Sequence, residues 1–162
     1  MPQTQFLEKG FVPRFVGIVE QSGINPKRIC IEFTERSLLD NFQQTLGIME
    51  EMTKRGFRFY LDDFGVGYSN FNCLLMKLPF CMIKLDPCIV QVDSNGKKNY
   101  TALYTLTKLF HEMNLVVVAE GAETEEEVRT LTEQGVDRIQ GFALARPMPL
   151  DNLINFYREN HS

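Results

Sequence analysis

Apolar positions along the chain switch repeatedly between two periods. Phe6, Leu7, Phe11, Val12, Phe15, Val16 and Val19 recur at helical spacing, with Pro13 suited to a first turn and Gly23 to a stop. The β-rich run Arg28–Thr34 follows, and then Leu38, Leu39, Phe42, Leu46, Met49 and Met52 return to a period of 3.6 before Gly56. Phe57–Leu61 predicts the next strand, with Asp62-Asp-Phe-Gly-Val-Gly67 as an irregular loop after it, and Phe80–Leu85 predicts another. After the turn cluster Asp93–Gly96, Leu103, Leu106, Phe110 and Met113 mark a helix that delivers the apolar strand Leu115–Ala119. Thr124 and Glu127 have the spacing of a capping box, opening a helix that buries Val128 and Leu131 and stops at Gly135. A last strand is expected over Arg138–Ala143. Beyond Pro147 and Pro149, the residues Leu150, Leu153, Ile154 and Tyr157 predict a terminal helix.

Five strands alternating with helices define an α/β chain whose strands are parallel and covered by helices. Either an open doubly wound sheet or a closed barrel satisfies that pattern. The polar residues favour the barrel, because barrel chemistry collects at the C-terminal ends of many different strands. Each strand here carries such a residue: Glu32, Asp62 with Asp63, Lys84 with Asp86, Glu120, and Gln140.

Composition narrows the classes of function. The chain has 162 residues, 44% of them hydrophobic, which suits one domain with a sizeable core. A net charge of -4 provides no global positive field for long nucleic acid, so a phosphate ligand must be neutralised locally. Cys30, Cys73, Cys81 and Cys88 lie in apolar runs without a CxxC pair, which predicts buried, reduced thiols and a cytoplasmic location. No run is long and apolar enough to span a membrane, and no secretory leader is recognisable.

Four carboxylates, Glu32, Asp62, Asp63 and Glu120, are expected to converge on one rim, where they repel unless protonated or bridged by cations. Hard oxygen donors select Mg²⁺, Mn²⁺ or Ca²⁺, and the adjacent Asp62 and Asp63 suit a two-ion phosphoester hydrolysis. Lys84 would add a fixed positive charge. Plainer readings stand beside each of these. Alternation alone turns Glu32 to solvent, Asp62-Asp63 suits a turn, and Glu120 and Glu123 suit the positive end of a helix. Gln140 could be a satisfied core amide, His111 and His161 surface residues, and Glu125–Glu127 a solvated helix face. Lys84 resists such a reading, since an ammonium in an apolar strand needs a partner, with Asp63 or Glu120 the expected one.

Taken in order, the segments resemble the EAL family of cyclic di-GMP phosphodiesterases over nearly the whole chain. Ile31-Glu-Phe-Thr-Glu35 is similar to the family's E-x-T-E, Asp62–Ser69 to DDFGTGYS, and Leu78-Pro79 with Ile83–Asp86 to LP followed by KID. Val117–Thr124 is similar to VVAEGVET, and Asp137–Phe142 with Arg146-Pro147 to the closing D-x-x-QGY and RP. The resemblance implies a TIM-barrel-like (β/α)8 fold, truncated here to about five strands. It implies that Glu32, Asp62 and Asp63 hold a pair of Mg²⁺ or Mn²⁺ ions bridged by Asp62. Glu120 would hold the water of the second ion and serve as base, and Lys84 would orient water or phosphate. Glu123 and Gln140 would support this shell, and Glu35 would pin the Asp62–Ser69 loop. Cyclic di-GMP would be opened to linear pGpG.

Val66 stands where the family has threonine, and Pro87-Cys88 where it has Arg-Ser. No Glu-Ala-Leu occurs in the sequence, so one ligand glutamate and one asparagine are missing. The chain is therefore expected to be an N-terminally truncated domain over residues 1–162, inactive or impaired, that self-associates or dimerises through its open edges. The alternatives are a non-catalytic module binding cyclic di-GMP or a protein, and an unrelated barrel enzyme acting on a sugar phosphate.

Overall fold

A computed structural model describes residues 3–34, 42–66, 78–92 and 98–160. The leading amphipathic segment forms two helices, α1 (Gln3–Phe6) and α2 (Phe11–Ser22). Gly10 divides them with a left-handed φ of 86°, where a single helix was expected. α2 buries Phe11, Val16 and Val19 and ends at Gly23, whose N–H donates to the Glu20 carbonyl. Asn25 accepts from the Lys27 N–H and starts a short turn with Pro26, which feeds strand β1 (Cys30–Thr34).

Helix α3 (Phe42–Lys54) inserts Met49 and Met52 into the core and leads into β2 (Arg58–Phe64). Next come β3 (Phe80–Leu85) and a small antiparallel pair, β4 (Gln91–Val92) with β5 (Lys98–Asn99). The chain then runs through α4 (Thr101–Glu112), β6 (Val116–Ala119), α5 (Glu125–Glu133), β7 (Arg138–Ile139) and α6 (Leu150–Asn160). The capping box forms as expected. Thr124 Oγ1 accepts from the Glu127 N–H, and Glu127 accepts from the Thr124 N–H.

The main sheet has the order β1-β2-β3-β6-β7, and every neighbouring pair is parallel. This order follows the chain without reversal. A doubly wound sheet reverses at a switch point, whereas a barrel adds each strand beside the last, so the order resolves the ambiguity in favour of a barrel-type arrangement.

One face of the sheet holds the core. Ile31 and Phe33, Phe59 and Leu61, Ile83 and Leu85, and Val117 and Ala119 alternate into it, with Phe6 set edge-on against Phe33 at 4.9 Å between ring centres. Each fully buried Phe or Leu contributes roughly 1.5–3 kcal/mol through removal from water. The other face turns Glu32, Tyr60, Lys84 and Gln140 towards an open cavity of about 410 Å³.

Three expectations change. Asp62 and Asp63 belong to β2 rather than to a loop, because the strand continues through a bulge to Phe64. The last strand stops at Ile139, where Gly141 closes onto the backbone of Ala122 and the chain turns. Cys30 and Cys88 are exposed and Cys81 half-buried, since the first lies on an edge strand and the second on a surface turn; all three are free thiols. Cys73, Glu35, Gly67–Ser69 and His161 lie outside the described residues. Among the described residues no helix is long and apolar enough to cross a membrane.

Candidate active site at the carboxyl ends of the strands

Strand alternation positions Lys84. Its neighbours Ile83 and Leu85 are buried in the core, so its own side chain must leave by the opposite face. There the ammonium meets three carboxylates. Lys84 Nζ lies 2.8 Å from Asp62 Oδ1, 2.8 Å from Glu120 Oε1 and 3.8 Å from Glu32 Oε1. The lysine side chain is only 12% exposed, whereas that of Glu32 is 45% exposed, so Asp62 and Glu120 dominate the pairing.

Backbone geometry brings the acids to this point. Glu120 follows the end of β6, and its N–H donates to the Leu85 carbonyl at 3.1 Å, which aligns it beside Lys84. On β2 the pairing shifts register between Leu61 and Phe64, and Asp63 takes a left-handed φ of 55°. That bulge keeps two successive carboxylates near the rim and returns Phe64 to the core.

One oxygen from each of Asp62, Asp63 and Glu120 lies within 4.8 Å of the other two. Asp62 Oδ1 is buried and lies 2.8 Å from Lys84 Nζ, and a carboxylate has further lone pairs with which to face a second cation. Three hard oxygen donors fit Mg²⁺, Mn²⁺ or Ca²⁺ better than zinc.

Burial pulls the Lys84 pKa down, but the Asp62 and Glu120 carboxylates outweigh it and hold the group above the ordinary lysine value. The residue is therefore a permanent cation at neutral pH. Cys88 is pushed up to about 11 by burial and by Asp86, which leaves it a thiol rather than a nucleophile.

The sequence expectations fall out unevenly. Asp62, Asp63, Glu120 and Lys84 come together, and Glu32 touches the group through Lys84. The partners of Lys84 are Glu120 and Asp62, not Asp63, because the bulge directs the second aspartate outward. Glu123 is exposed, and its N–H donates to Glu127 Oε2 at 2.7 Å, so it serves the start of α5. Gln140 is exposed and borders the cavity beside Lys84 and Glu32. Glu127 is not a free solvated acid, because Lys98 pairs with it.

Sequence reasoning missed the lower cavity wall of Tyr60, Met82, Val118 and Arg138. Period-two alternation from Glu32 and Lys84 was the signal that could have found it. It places Asp137 only within a motif and gives it no role; Asp137 accepts from the Val117 N–H at 2.7 Å and pairs with His111 at 2.9 Å, tying β6, α4 and the approach to β7.

Parallel strands in chain order, with acids and a lysine gathered at their carboxyl ends, define a barrel-type domain with its polar site on that rim. Residues 1–147 match the profile described as EAL domain, and the chain belongs to that family. It is 31% identical over 150 residues to the bifunctional diguanylate cyclase/cyclic di-GMP phosphodiesterase MucR of Pseudomonas aeruginosa, covering 93% of this chain and 22% of that protein. Its fold superimposes on the PaMucR phosphodiesterase in complex with c-di-GMP with a TM-score of 0.81 and 31% identity, over 94% of this chain and 62% of the other. The Klebsiella pneumoniae BlrP1 manganese/cy-diGMP complex gives a TM-score of 0.76 and 27% identity, over 88% of this chain and 36% of the other. The chain thus spans about a fifth of the length of its curated relative.

Proposed function

We propose that this chain carries the catalytic rim of a metal-dependent cyclic di-GMP phosphodiesterase that forms linear pGpG. The observation that carries the reading is Lys84 held at 2.8 Å from both Asp62 and Glu120, with Asp63 close enough to share a cation with them. Asp62, Asp63 and Glu120, with Glu32 at the margin, would hold Mg²⁺ or Mn²⁺. A divalent cation there supplies charge against the phosphoryl oxygens and acidifies water.

The protein's own groups do the rest. Glu120 accepts a proton from the attacking water, whose oxygen bonds to phosphorus. The P–O3′ bond breaks, and the proton that Glu120 took from water passes to the leaving 3′ oxygen, which returns Glu120 to its carboxylate form. Lys84 is too basic to act as the base, so its role is to hold positive charge against the phosphate through the step. The cavity beside Glu32, Lys84 and Gln140 borders this rim. We further propose a cytoplasmic setting, in keeping with the free thiols, and self-association through the sheet edges.

A second reading is a non-catalytic cyclic di-GMP-binding module. It is favoured by the half-exposed Glu32, which stands outside the close carboxylate group. Assay of cyclic di-GMP in Mn²⁺ separates the two, using the chain alone and the chain fused to the Glu-Ala-Leu-bearing segment of a relative. The first reading expects pGpG from the fusion and little or none from the chain alone. Tight binding without turnover by the fusion supports the second. Neither binding nor turnover overturns both, and robust metal-dependent turnover by the chain alone shows that the added segment is dispensable.

A further inference from the structure

Three glycines mark close approaches on the carboxyl rim, two to side chains and one to backbone. A side chain at Gly65, just after β2, would meet Ile89 Cδ1 at 2.5 Å and Cys88 Sγ at 3.5 Å. One at Gly121, just after Glu120, would meet Pro87 Cγ at 2.4 Å and Pro87 Cβ at 3.3 Å. One at Gly141 would strike the backbone of Ala122 at 2.1 Å. The turn Pro87–Ile89 therefore sits between the exits of β2 and β6 with a side chain in each notch. Its first residue is held by Asp86, whose carboxylate accepts from the Cys88 N–H at 2.8 Å and whose own N–H donates to the Phe64 carbonyl at 3.1 Å.

We infer that Pro87 is a positioning residue, a wedge that fixes the separation of Asp63 on β2 from Glu120 after β6. The carboxylates of the two acids repel one another. Ile89 against Gly65 and Pro87 against Gly121 hold those backbones by shape alone, whatever the ionic state of the site. Pro87 suits the role because its ring is rigid and its φ is fixed, so the wedge has little freedom to yield. The claim about spacing stands on the contacts. Its consequence for cation affinity rests on the metal reading proposed above.

The test is Pro87→Ala, which removes the Cγ that fills the Gly121 notch, read by two signals. Amide exchange at Glu120 and Asp86, whose N–H groups bond across the wedge, rises about tenfold as the rim opens locally. Mn²⁺ affinity, measured by electron paramagnetic resonance, falls about tenfold, as for other residues that orient metal ligands. Val19→Ala, a remote core change in α2, lowers the unfolding midpoint but moves neither signal. Gly121→Ala also disturbs both, and the Pro87→Ala/Gly121→Ala double variant is less perturbed than Gly121→Ala alone, because its new methyl no longer meets Cγ. Should Pro87→Ala not fold, Ile89→Ala empties the Gly65 notch from the same turn and gives the same readouts.

Wild-type exchange and Mn²⁺ binding in Pro87→Ala, or equal defects in Gly121→Ala and the double variant, overturn the wedge while leaving the metal site standing. A wild-type chain that binds no Mn²⁺ overturns the metal reading, and amide exchange then judges the wedge by itself.

Discussion

Lys84 shows how one charge organises the rim. A mid-strand ammonium between apolar neighbours demanded acid partners, and that demand was legible in Met82–Leu85 alone. The identity of the second partner was not, because it depends on the left-handed Asp63 backbone, which no side-chain pattern announces. Replacing Lys84 by Met leaves Asp62 and Glu120 facing each other without compensation. The expected loss is about 3 kcal/mol by urea unfolding without divalent cation, and distinctly less in excess Mn²⁺, which substitutes for the missing charge. An equal loss with and without Mn²⁺ would count against cation binding at those acids.

Titration separates this pair from Asp137. The raised Lys84 pKa contributes stability that is fully present below the unfolded lysine value, about 10.4, and is lost only as pH rises through the higher folded value. It gives no slope near neutrality. Burial raises the Asp137 pKa, but the Val117 N–H and His111 overcome it and the carboxyl ends below its usual value. Its contribution is therefore present above about pH 4 and disappears as pH falls through the depressed folded value. Asp137→Asn should flatten the acid limb of the stability profile measured by denaturation between pH 2 and 5, and an unchanged limb would remove Asp137 from the account.

At the scale of elements, the start of α5 was readable from Thr124 and Glu127 because a capping box is a purely local device. What escaped the sequence was the second use of Glu127, which also pairs with Lys98 from β5, since that contact joins residues 29 positions apart. Thr124→Ala should cost about 1 kcal/mol in chemical denaturation. The last strand was read too long for a related reason. The apolar residues Ile139, Phe142 and Ala143 extended the pattern, but the close approach of Gly141 to Ala122 ends pairing at Ile139. Gly141→Ala drives a methyl into backbone that cannot yield, and should destabilise the chain by about 1–3 kcal/mol in the same assay.

For the molecule as a whole, alternation of periods was enough to give parallel strands under helices, while the choice between open sheet and barrel needed the strand order. Among the described residues the sheet has β1 and β7 at its edges, and Phe142, Leu144, Leu150, Leu153 and Tyr157 are exposed nearby in sequence to β7 or on α6. Unpaired strand backbone and exposed apolar side chains both favour association. Light scattering should give at least twice the mass of one chain at micromolar concentration, and a monodisperse monomer would contradict that expectation.

Everything proposed for the rim depends on Asp62, Asp63 and Glu120 acting together on a divalent cation. Calorimetric titration of the chain with Mn²⁺, repeated on Asp62→Asn, Asp63→Asn and Glu120→Gln, examines this without requiring turnover. The account predicts saturable binding by the wild type, weakened at least about tenfold by each substitution while folding is retained. Binding of equal affinity in all four proteins would place the cation elsewhere and contradict the proposed site.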